Sequence, residues 1–305
     1  MEESYFDEKP EAGFFSKNKM VIWSVIISSM ICALAVHVER HKTVENIIPV
    51  LRGEVSLGED FVITTIKNKS PILIKKDDPF VGSQLRFSGD IKSLFSVAAD
   101  SLCKPKDVVL EVGAHFGYNA INLGNHLRHS GKYYAFEANH TVFSCLKKSI
   151  ALNDLVRVIF PKCIAISGHV GACSIDDCIS MKALPQGGFT KPNVIHVKCS
   201  TIDTELADEA SSVTLLLIDI PGLEFPIING AKKAIHGSRH IKIIVSFDNE
   251  ASSSSCDVQE ELKKLAAAGF KFYVIEAPNV HTPVDIPEII SRGKAVLVIT
   301  RDDLR

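Results

Sequence analysis

The sequence lacks two features that would define its class directly. Its eight cysteines form no Cys-x-x-Cys pair and no regular disulfide spacing, which favours a reducing compartment. It also has no dense lysine and arginine stripe interleaved with aromatic residues, and its formal net charge is −2, so no nucleic-acid partner is expected. A zinc site among Cys163, Cys173, Cys178 and Cys199 is one alternative. The irregular separations favour free, mostly buried thiols instead, and no metal site is predicted.

Length and composition limit the number of domains. A chain of 305 residues with 46% hydrophobic residues can bury one substantial core, and no internal repeat divides it. We therefore expect one main domain with an N-terminal appendage. The predicted segments are an N-terminal tail at 1–19, a transmembrane anchor at 20–36, a linker with a short β preamble at 37–86, and the main domain at 87–305.

The predicted anchor is the uncharged run "MVIWSVIISSMICALAV", Met20 to Val36. Its 17 residues are close to the length that crosses a bilayer as a helix, which indicates a single-pass membrane protein. A cleaved signal peptide and a buried core helix are the alternatives. The preceding 19 residues are long and acidic, and "ALAVHVER" is only a partial cleavage signal, so the anchor is favoured. Flanking charge does not set the orientation, because Lys17 and Lys19 are matched by Arg40 and Lys42.

From Val108 onward, apolar runs alternate with helical patterns, which predicts a doubly wound, mostly parallel sheet. Val108–Val112 is the first predicted strand and Tyr118–Leu127 its helix, and a second strand ends at Glu137. Thr214–Ile218 is apolar over most of its length, as a central strand buried on both faces should be.

The loop after the first strand, within "VVLEVGAHFGYNA", limits the possible ligands. A dinucleotide site needs Gly-x-Gly-x-x-Gly so that the pyrophosphate can approach the backbone. If Gly113 is the first of these glycines, His115 and Tyr118 occupy the other two positions. Binding of NAD or FAD is therefore not expected.

The pattern that does fit is an acid, Glu111, followed by Gly113 and Gly117, with a second acid, Glu137, 26 residues after the first. S-adenosylmethionine has no pyrophosphate, and its ribose hydroxyls can donate hydrogen bonds to an acid at the end of the second strand. The pattern therefore favours S-adenosylmethionine as cofactor. The alternative is a tight turn whose glycines serve packing alone.

Four segments together resemble the FkbM-type family of S-adenosylmethionine-dependent methyltransferases. They are "VVLEVGAHFGYNAINLG", "YYAFEANHTVFSCLKKSIALN", "STIDTEL" and "LLLIDIPGLEFPIINGAKKAI", in this order. The resemblance implies a Rossmann-like seven-stranded methyltransferase fold and methyl transfer to a hydroxyl of a small-molecule, sugar or lipid-linked acceptor. It places the donor contacts at Glu111, Gly113, Ala114, His115, Gly117 and Glu137.

Two carboxylates are the candidate catalytic residues. Asp219 follows the central strand beside the predicted donor site, where it can orient the acceptor or take its proton. Capping of the strand end is its alternative role. Glu224 can act catalytically, or it can position the loop before a helix that Pro226 helps to start.

The chain departs from the family pattern at four positions. Glu111 stands where aspartate is usual, His115 where asparagine is usual, Leu217 where lysine is common, and Pro221 where the third signature has an acid. Loss of the lysine and the acid can remove a paired charge as a unit, or it can remove a catalytic carboxylate. The second possibility predicts a catalytically silent binding module that kept the fold.

Two further expectations concern the acceptor and the compartment. The Gly- and Pro-rich stretch 181–193 is a candidate acceptor loop, and the stretch 277–289 is a second candidate. The cofactor is made in the cytosol, which favours a catalytic domain facing that side. The sequons at Asn68 and Asn139 favour the same side, because a glycan on Asn139 would stand beside Glu137.

Overall fold

The computed structural model describes residues 54–177 and 193–304. The predicted tail, the anchor at 20–36 and most of the predicted linker lie outside the described residues, as does all but the last residue of the candidate loop 181–193. The chain divides into the units Met1–Leu51 and Arg52–Arg305, and the described residues belong to the second. Within the described ranges, no helix is both long enough and apolar enough to span a bilayer. The anchor therefore stays a prediction.

The described residues form fourteen strands and ten α-helices. The strands are β1 Val55–Leu57, β2 Phe61–Thr65, β3 Pro71–Lys75, β4 Val108–Val112, β5 Lys132–Phe136, β6 Ile159–Lys162, β7 Ala165–Ile166, β8 Gly171–Asp177, β9 Asn193–Ser200, β10 Leu215–Ile218, β11 Lys242–Asp248, β12 Lys271–Ala277, β13 Val280–Pro283 and β14 Lys294–Thr300. The helices are α1 Val81–Ser88, α2 Leu94–Leu102, α3 Tyr118–Leu127, α4 His140–Leu152, α5 Ile202–Leu206, α6 Glu224–Asn229, α7 Lys232–Gly237, α8 Asn249–Ser253, α9 Val258–Ala267 and α10 Ile286–Arg292, with a 3₁₀ helix at Ala207–Ser212.

The main sheet has the order β13-β12-β14-β11-β10-β4-β5-β6. Strands β6, β5, β4, β10 and β11 are parallel, and β14 runs antiparallel between β11 and β12. Seven of these strands make the Rossmann-like methyltransferase sheet predicted from the sequence, and β13 adds an eighth strand at one edge. The chain order reverses between β4 and β10, and ligands of such sheets bind at the carboxyl ends beside this switch point.

Alternating side chains of the central strands supply two cores, one on each face of the sheet. Leu215 and Leu217 of β10 pack into the cluster that includes residues of α2 and α3, whereas Leu216 and Ile218 pack among α5, α6 and α9. All four side chains are buried, as expected for a strand covered by helices on both faces. The two cores hold the carboxyl ends of β4, β5 and β10 in fixed positions.

Two parts of the fold differ from the sequence pattern. The apolar pattern across 227–235 predicts one helix. The structure has two, α6 and α7, which separate at Gly230 and Ala231, where glycine weakens helix propagation. The chain segment between β6 and β10 forms a separate three-stranded sheet in the order β7-β9-β8, which the sequence pattern does not predict. Its strand β8, "GACSIDD", has few of the β-branched and aromatic residues that indicate strands. The predicted β preamble is present as the antiparallel strands β1, β2 and β3.

Candidate functional site

The loop at 113–117, which we term the glycine loop, passes close to the loop that follows β10. Gly113 has φ +87° and Gly117 has φ +94°, a left-handed conformation that residues with a Cβ rarely adopt. A Cβ on Gly113 would stand 2.9 Å from Cγ1 of Ile220, and one on Gly117 would stand 2.6 Å from Cδ1 of Leu146. The glycines therefore allow backbone to approach backbone at the switch point.

Glu137 follows β5 directly and fixes the glycine loop through its carboxylate. Its Oε2 accepts the backbone N–H of His115 at 2.9 Å, and its Oε1 accepts the backbone N–H of Asn139 at 2.8 Å. Only 8% of Glu137 is exposed, and what is exposed faces a cavity. A carboxylate oxygen can accept two hydrogen bonds, so both oxygens of Glu137 retain capacity for a ligand hydroxyl.

Two cavities meet at the glycine loop. The larger has a volume of about 570 Å³ and is lined by Glu137, and the smaller has a volume of about 100 Å³ and is lined by Glu111. Gly113, His115 and Asp219 line both cavities, and Ala114 lines the smaller one. A ligand occupying both would therefore pass between the glycine loop and Asp219.

Glu111 is buried at the end of β4, where its side chain is 1% exposed. Its Oε1 accepts a hydrogen bond from the Asn119 amide at 2.8 Å, and its Oε2 accepts one from the Tyr133 hydroxyl at 2.7 Å. Burial raises the pKa of Glu111 to about 7; the two hydrogen bonds oppose this shift, and the charges of Asp219 and Glu137 add to it. The smaller cavity therefore contains a carboxyl group that titrates near neutral pH.

His115 has two unusual features at the junction of the cavities. Its φ of +51° is rare for a residue with a side chain, and such strain is concentrated at functional sites. Its Nδ1 is buried, and none of the described residues bonds to it. The imidazole therefore has an unused polar atom next to the space where a ligand would lie.

Asp219 follows β10, and its backbone N–H donates to the Val112 carbonyl at 3.2 Å. The Ser246 hydroxyl of β11 donates to its Oδ1 at 2.5 Å. The Asp219 side chain is exposed within the cavities that it lines, but desolvation by the protein around it raises its pKa, while Ser246 and the nearby His115 lower it. The structure thus brings Asp219 next to His115.

Glu224 lies away from both cavities. It is fully buried, and its Oε2 accepts hydrogen bonds from the backbone N–H of Gly222 and from the Ser252 hydroxyl, each at 2.8 Å. Its Oε1 accepts the backbone N–H of Asp248 at 3.2 Å. These contacts tie the loop after β10 to β11 and α8. The loop-positioning role fits this arrangement, and the catalytic role predicted for Glu224 receives no support from it.

Leu217 and Pro221 stand where the family commonly has a lysine and an acid, and their environments differ. Leu217 is fully buried in the core, where it pairs with Glu111 across β10 and β4. Pro221 is exposed and lines neither cavity. The apolar side chain at Leu217 therefore leaves Glu111 without a cation on that neighbouring strand.

The small sheet supplies cavity residues that the sequence reasoning missed. Ser167, His169, Cys173 and Ile175 line the larger cavity, and Ser167 Oγ lies 3.2 Å from His169 Nδ1. Their only signal in the sequence was a weak alternation of polar and apolar residues. The candidate acceptor segment at 277–289 forms β13 and most of α10 and lines neither cavity.

The charges around the cavities are mostly negative. Glu111, Glu137 and Asp219 line one cavity or both, and no lysine or arginine is among their described lining residues. Within 54–177 and 193–304, no cluster of three or more His, Cys, Asp or Glu side chains is arranged to hold a metal ion. Cys178 of the hypothetical zinc site lies outside the described residues. The site is therefore suited to a ligand that carries positive charge.

Comparisons with known proteins were made by sequence and by structure. The family model described as the Methyltransferase FkbM domain matches residues 111–272, more than half of the chain. The structure is similar to the O-methyltransferase from Bacillus cereus in complex with SAH, at 14% identity and TM-score 0.42, over 69% of this chain and 81% of that one. It is also similar to precorrin-6y C5,15-methyltransferase from Geobacter metallireducens GS-15, at 11% identity and TM-score 0.38, over 67% and 83% of the two chains. No curated protein matches the sequence.

The sheet order, the glycine loop and the strand-end acid at the switch point together define a Rossmann-like methyltransferase. The chain belongs to the FkbM methyltransferase family. As a member of this family, it has S-adenosylmethionine as its cofactor.

The described residues fit this cofactor. Glu137 has the acceptor capacity that ribose hydroxyls need, and the glycine loop leaves room for backbone to approach a ligand. The smaller cavity, with Glu111, is suited to the ammonium group of the donor's amino-acid portion. Asp219 and His115 stand where the two cavities join, and hence where the sulfonium of a donor spanning both would lie.

Proposed function

We propose that the protein is a membrane-anchored O-methyltransferase that methylates a hydroxyl of a small-molecule, sugar or lipid-linked acceptor. The observation that supports this most directly is the position of Asp219, whose carboxylate borders both cavities beside the glycine loop. A hydroxyl acceptor loses its proton as the new carbon–oxygen bond forms, and a carboxylate beside the methyl donor can receive that proton.

The surroundings of Asp219 suit it to this step. Its pKa is raised by burial, which moves a carboxylate towards the range in which a base works well near neutral pH. Ser246 fixes Oδ1 through a hydrogen bond and thereby sets the direction of Oδ2. Asp219 would accept the acceptor proton on Oδ2 and release it to water afterwards.

Other residues would orient the donor and exclude water. When bound, S-adenosylmethionine supplies an electrophilic methyl group for in-line displacement, in which the carbon–sulfur bond breaks as the carbon–oxygen bond forms. Correct placement of the reacting atoms accounts for much of the rate of such a reaction. Glu137 and the glycine loop would hold the donor, and apolar lining residues such as Ile166, Ile175 and Leu223 would keep the cavity dry.

The test is transfer of a tritiated methyl group from S-adenosylmethionine to a panel of glycosides, hydroxylated aromatic compounds and lipid-linked sugars. We expect label in at least one hydroxyl acceptor with the wild-type protein. Transfer should fall at least 100-fold in Asp219→Asn, which keeps the shape of the side chain and removes its basicity. Both proteins are assayed at donor concentrations that saturate each of them, so that a change in donor affinity does not affect the comparison. Transfer to a nitrogen or carbon acceptor alone would contradict the proposal.

The silent binding module is the alternative outcome of the same assay. It predicts donor binding with no transfer to any acceptor. The structure offers it little support, because Pro221, the position at which chemistry would have been lost, is exposed and lines neither cavity. A protein that binds donor and labels no compound would nevertheless favour this alternative.

Anchoring and a cytosolic orientation belong to the same proposal. The anchor rests on the apolar run at 20–36, and the orientation on the cytosolic source of the cofactor. Asn139 also supports the orientation, because it is 8% exposed and its Oδ1 accepts the backbone N–H groups of Thr141 and Val142 at the start of α4. A glycan attached to its Nδ2 would have to displace the protein atoms that bury this side chain.

A further inference from the structure

Three carboxylates surround the junction of the two cavities with little to balance their charge. Glu137 lines the larger cavity, Glu111 lines the smaller, and Asp219 lines both. Among the described lining residues the only group of opposite sign would be a protonated histidine, and His115 is the histidine at the junction. A cation placed there therefore meets a net negative potential, which protein surroundings screen less than bulk water does.

The lack of a neighbouring positive charge is clearest at Glu111. The residues paired with it on the two neighbouring strands are Leu217 and Ala135, both apolar. Its hydrogen-bond donors, Asn119 and Tyr133, are both neutral.

The other elements around Glu111 add no cation. Asp219 after β10 and Glu137 after β5 both raise its pKa by repulsion. Ser96 of α2 and Ser93, which caps this helix, line the same cavity. Among the described lining residues, no lysine or arginine therefore balances the charge that Glu111 gains on ionisation.

Asp219 is the one carboxylate of the three that lines both cavities. If the donor's ribose lay beside Glu137 and its amino-acid portion beside Glu111, its sulfur would lie between them, next to Asp219. Its charge is supported by the Ser246 hydrogen bond and by His115. The sulfur of S-adenosylmethionine is a cation, whereas the sulfur of the product S-adenosylhomocysteine is neutral. The two molecules otherwise differ only by one methyl group.

We propose that Asp219, assisted by Glu111, makes the donor site select for positive charge at sulfur, so that it binds S-adenosylmethionine more tightly than S-adenosylhomocysteine. Transfer of the methyl group removes the charge that the carboxylates hold. The product cofactor is then bound less tightly and leaves, so the site favours product release by electrostatics. Anionic acceptors such as phosphorylated sugars are disfavoured by the same carboxylates.

Calorimetric titration of the full chain with the two cofactors tests this proposal without an acceptor. At pH 8 we expect the dissociation constant for S-adenosylhomocysteine to exceed that for S-adenosylmethionine about tenfold or more, a ratio that one favourable charge contact can produce. Asp219→Asn should bring the ratio close to one, mainly by weakening S-adenosylmethionine. Asp219→Glu, which restores the charge, should recover most of the ratio.

The pH dependence separates the contribution of Glu111. Between pH 6 and pH 8 the ratio should rise in the wild-type protein, because Glu111 ionises over this range, and it should stay flat in Glu111→Gln. Glu276→Gln is the charge-matched control, since Glu276 lies in β12, is exposed and lines neither cavity. It should keep the wild-type ratio.

Three results would overturn the proposal. They are equal or tighter binding of S-adenosylhomocysteine by the wild-type protein at pH 8, a wild-type ratio in Asp219→Asn, or a lower ratio in Glu276→Gln. Binding of S-adenosylhomocysteine by Asp219→Asn shows that the variant is folded. Failure of the wild-type protein to bind either cofactor would contradict the donor site itself. A protein that binds S-adenosylmethionine more tightly than S-adenosylhomocysteine, but transfers no methyl group to a hydroxyl, would support this proposal. It would count against the O-methyltransferase function.

Discussion

The environment of Glu111 determines how this residue affects stability as pH changes. Its folded pKa of about 7 lies above 4.5, the usual pKa of a glutamate side chain. Between these two values the folded state therefore holds a proton that the unfolded chain has already lost. The stability contributed by the protonated form is complete below pH 4.5 and is lost as pH rises through 7. The cause is burial between apolar strands with no cation nearby.

Replacement of this carboxyl tests that reasoning. As pH rises from 5 to 8, the unfolding free energy of the wild-type protein should fall more than that of Glu111→Gln. The two decreases should differ by at most about 3 kcal/mol. Urea denaturation at four pH values across this range gives the comparison. A wild-type protein that gains stability with pH relative to the variant would show that Glu111 is ionised and compensated in the folded state.

Glu224 allows a second test, of a positioning role against a catalytic one. Glu224→Ala would remove the acceptor of the Gly222 and Asp248 backbone N–H groups, whereas the Ser252 hydroxyl can still donate to the Asp248 carbonyl. The loss should cost about 2–4 kcal/mol of unfolding free energy. Urea denaturation measures this loss, and donor affinity under native conditions should change less than threefold. If Glu224→Ala kept the wild-type stability but lost methyl transfer, Glu224 would have a catalytic role.

The sequence predicted some site residues and not others for a physical reason. An acid at the end of the second strand, Glu137, has its position set by the topology of a doubly wound sheet, so the pattern alone locates it. The direction of a carboxylate after β10 depends on what packs against it. Glu224 turns towards α8 and Asp219 towards the cavities, and neither orientation is encoded in the local sequence.

At the scale of an element, the glycine loop is where local conformation controls ligand binding. Gly117→Ala should destabilise the protein by about 1–3 kcal/mol, because φ is +94° and the new Cβ would stand 2.6 Å from Leu146. Donor affinity should fall as well, since the loop must shift. The matched control is Gly269→Ala, which has φ +85° and no atom within 4 Å of the new Cβ, and so introduces the backbone strain without the clash.

Thermal unfolding and donor titration of the two variants decide this point. Gly117→Ala should lose both stability and affinity, whereas Gly269→Ala should lose only stability and lose less of it. Equal effects in the two variants would mean that backbone strain alone accounts for the loss. The contact with Leu146 would then have no specific role.

Elements with strong patterns were predicted from the sequence, and elements with mixed patterns were not. Val108–Val112 and Tyr118–Leu127 have the predicted bounds, because a buried parallel strand and an amphipathic helix have distinct periodicities. Strands β8 and β9 lack that contrast, since most of their described side chains are exposed or half-buried. The sequence pattern therefore does not predict much of the lining of the larger cavity.

At the scale of the whole molecule, the predicted anchor is tested by membrane association of the full chain. We expect the chain to stay with the membrane pellet after alkaline carbonate extraction, and a version lacking 20–36 to be found in the supernatant. In sealed vesicles with the cytosolic face outward, protease should remove the catalytic domain. A full chain that moves to the supernatant after carbonate treatment would contradict the anchor.

The central claim is that this chain uses S-adenosylmethionine at the switch point between β4 and β10. The most direct test is calorimetric titration of S-adenosylmethionine into the wild-type protein and into Glu137→Ala, with circular dichroism to confirm that both are folded. We predict saturable one-to-one binding in the micromolar range or tighter, and at least a 30-fold weaker affinity in Glu137→Ala, which loses the ribose acceptor and the bond to His115 that fixes the glycine loop. A folded wild-type protein that does not bind the donor, or a Glu137→Ala variant that binds it unchanged, would contradict the account.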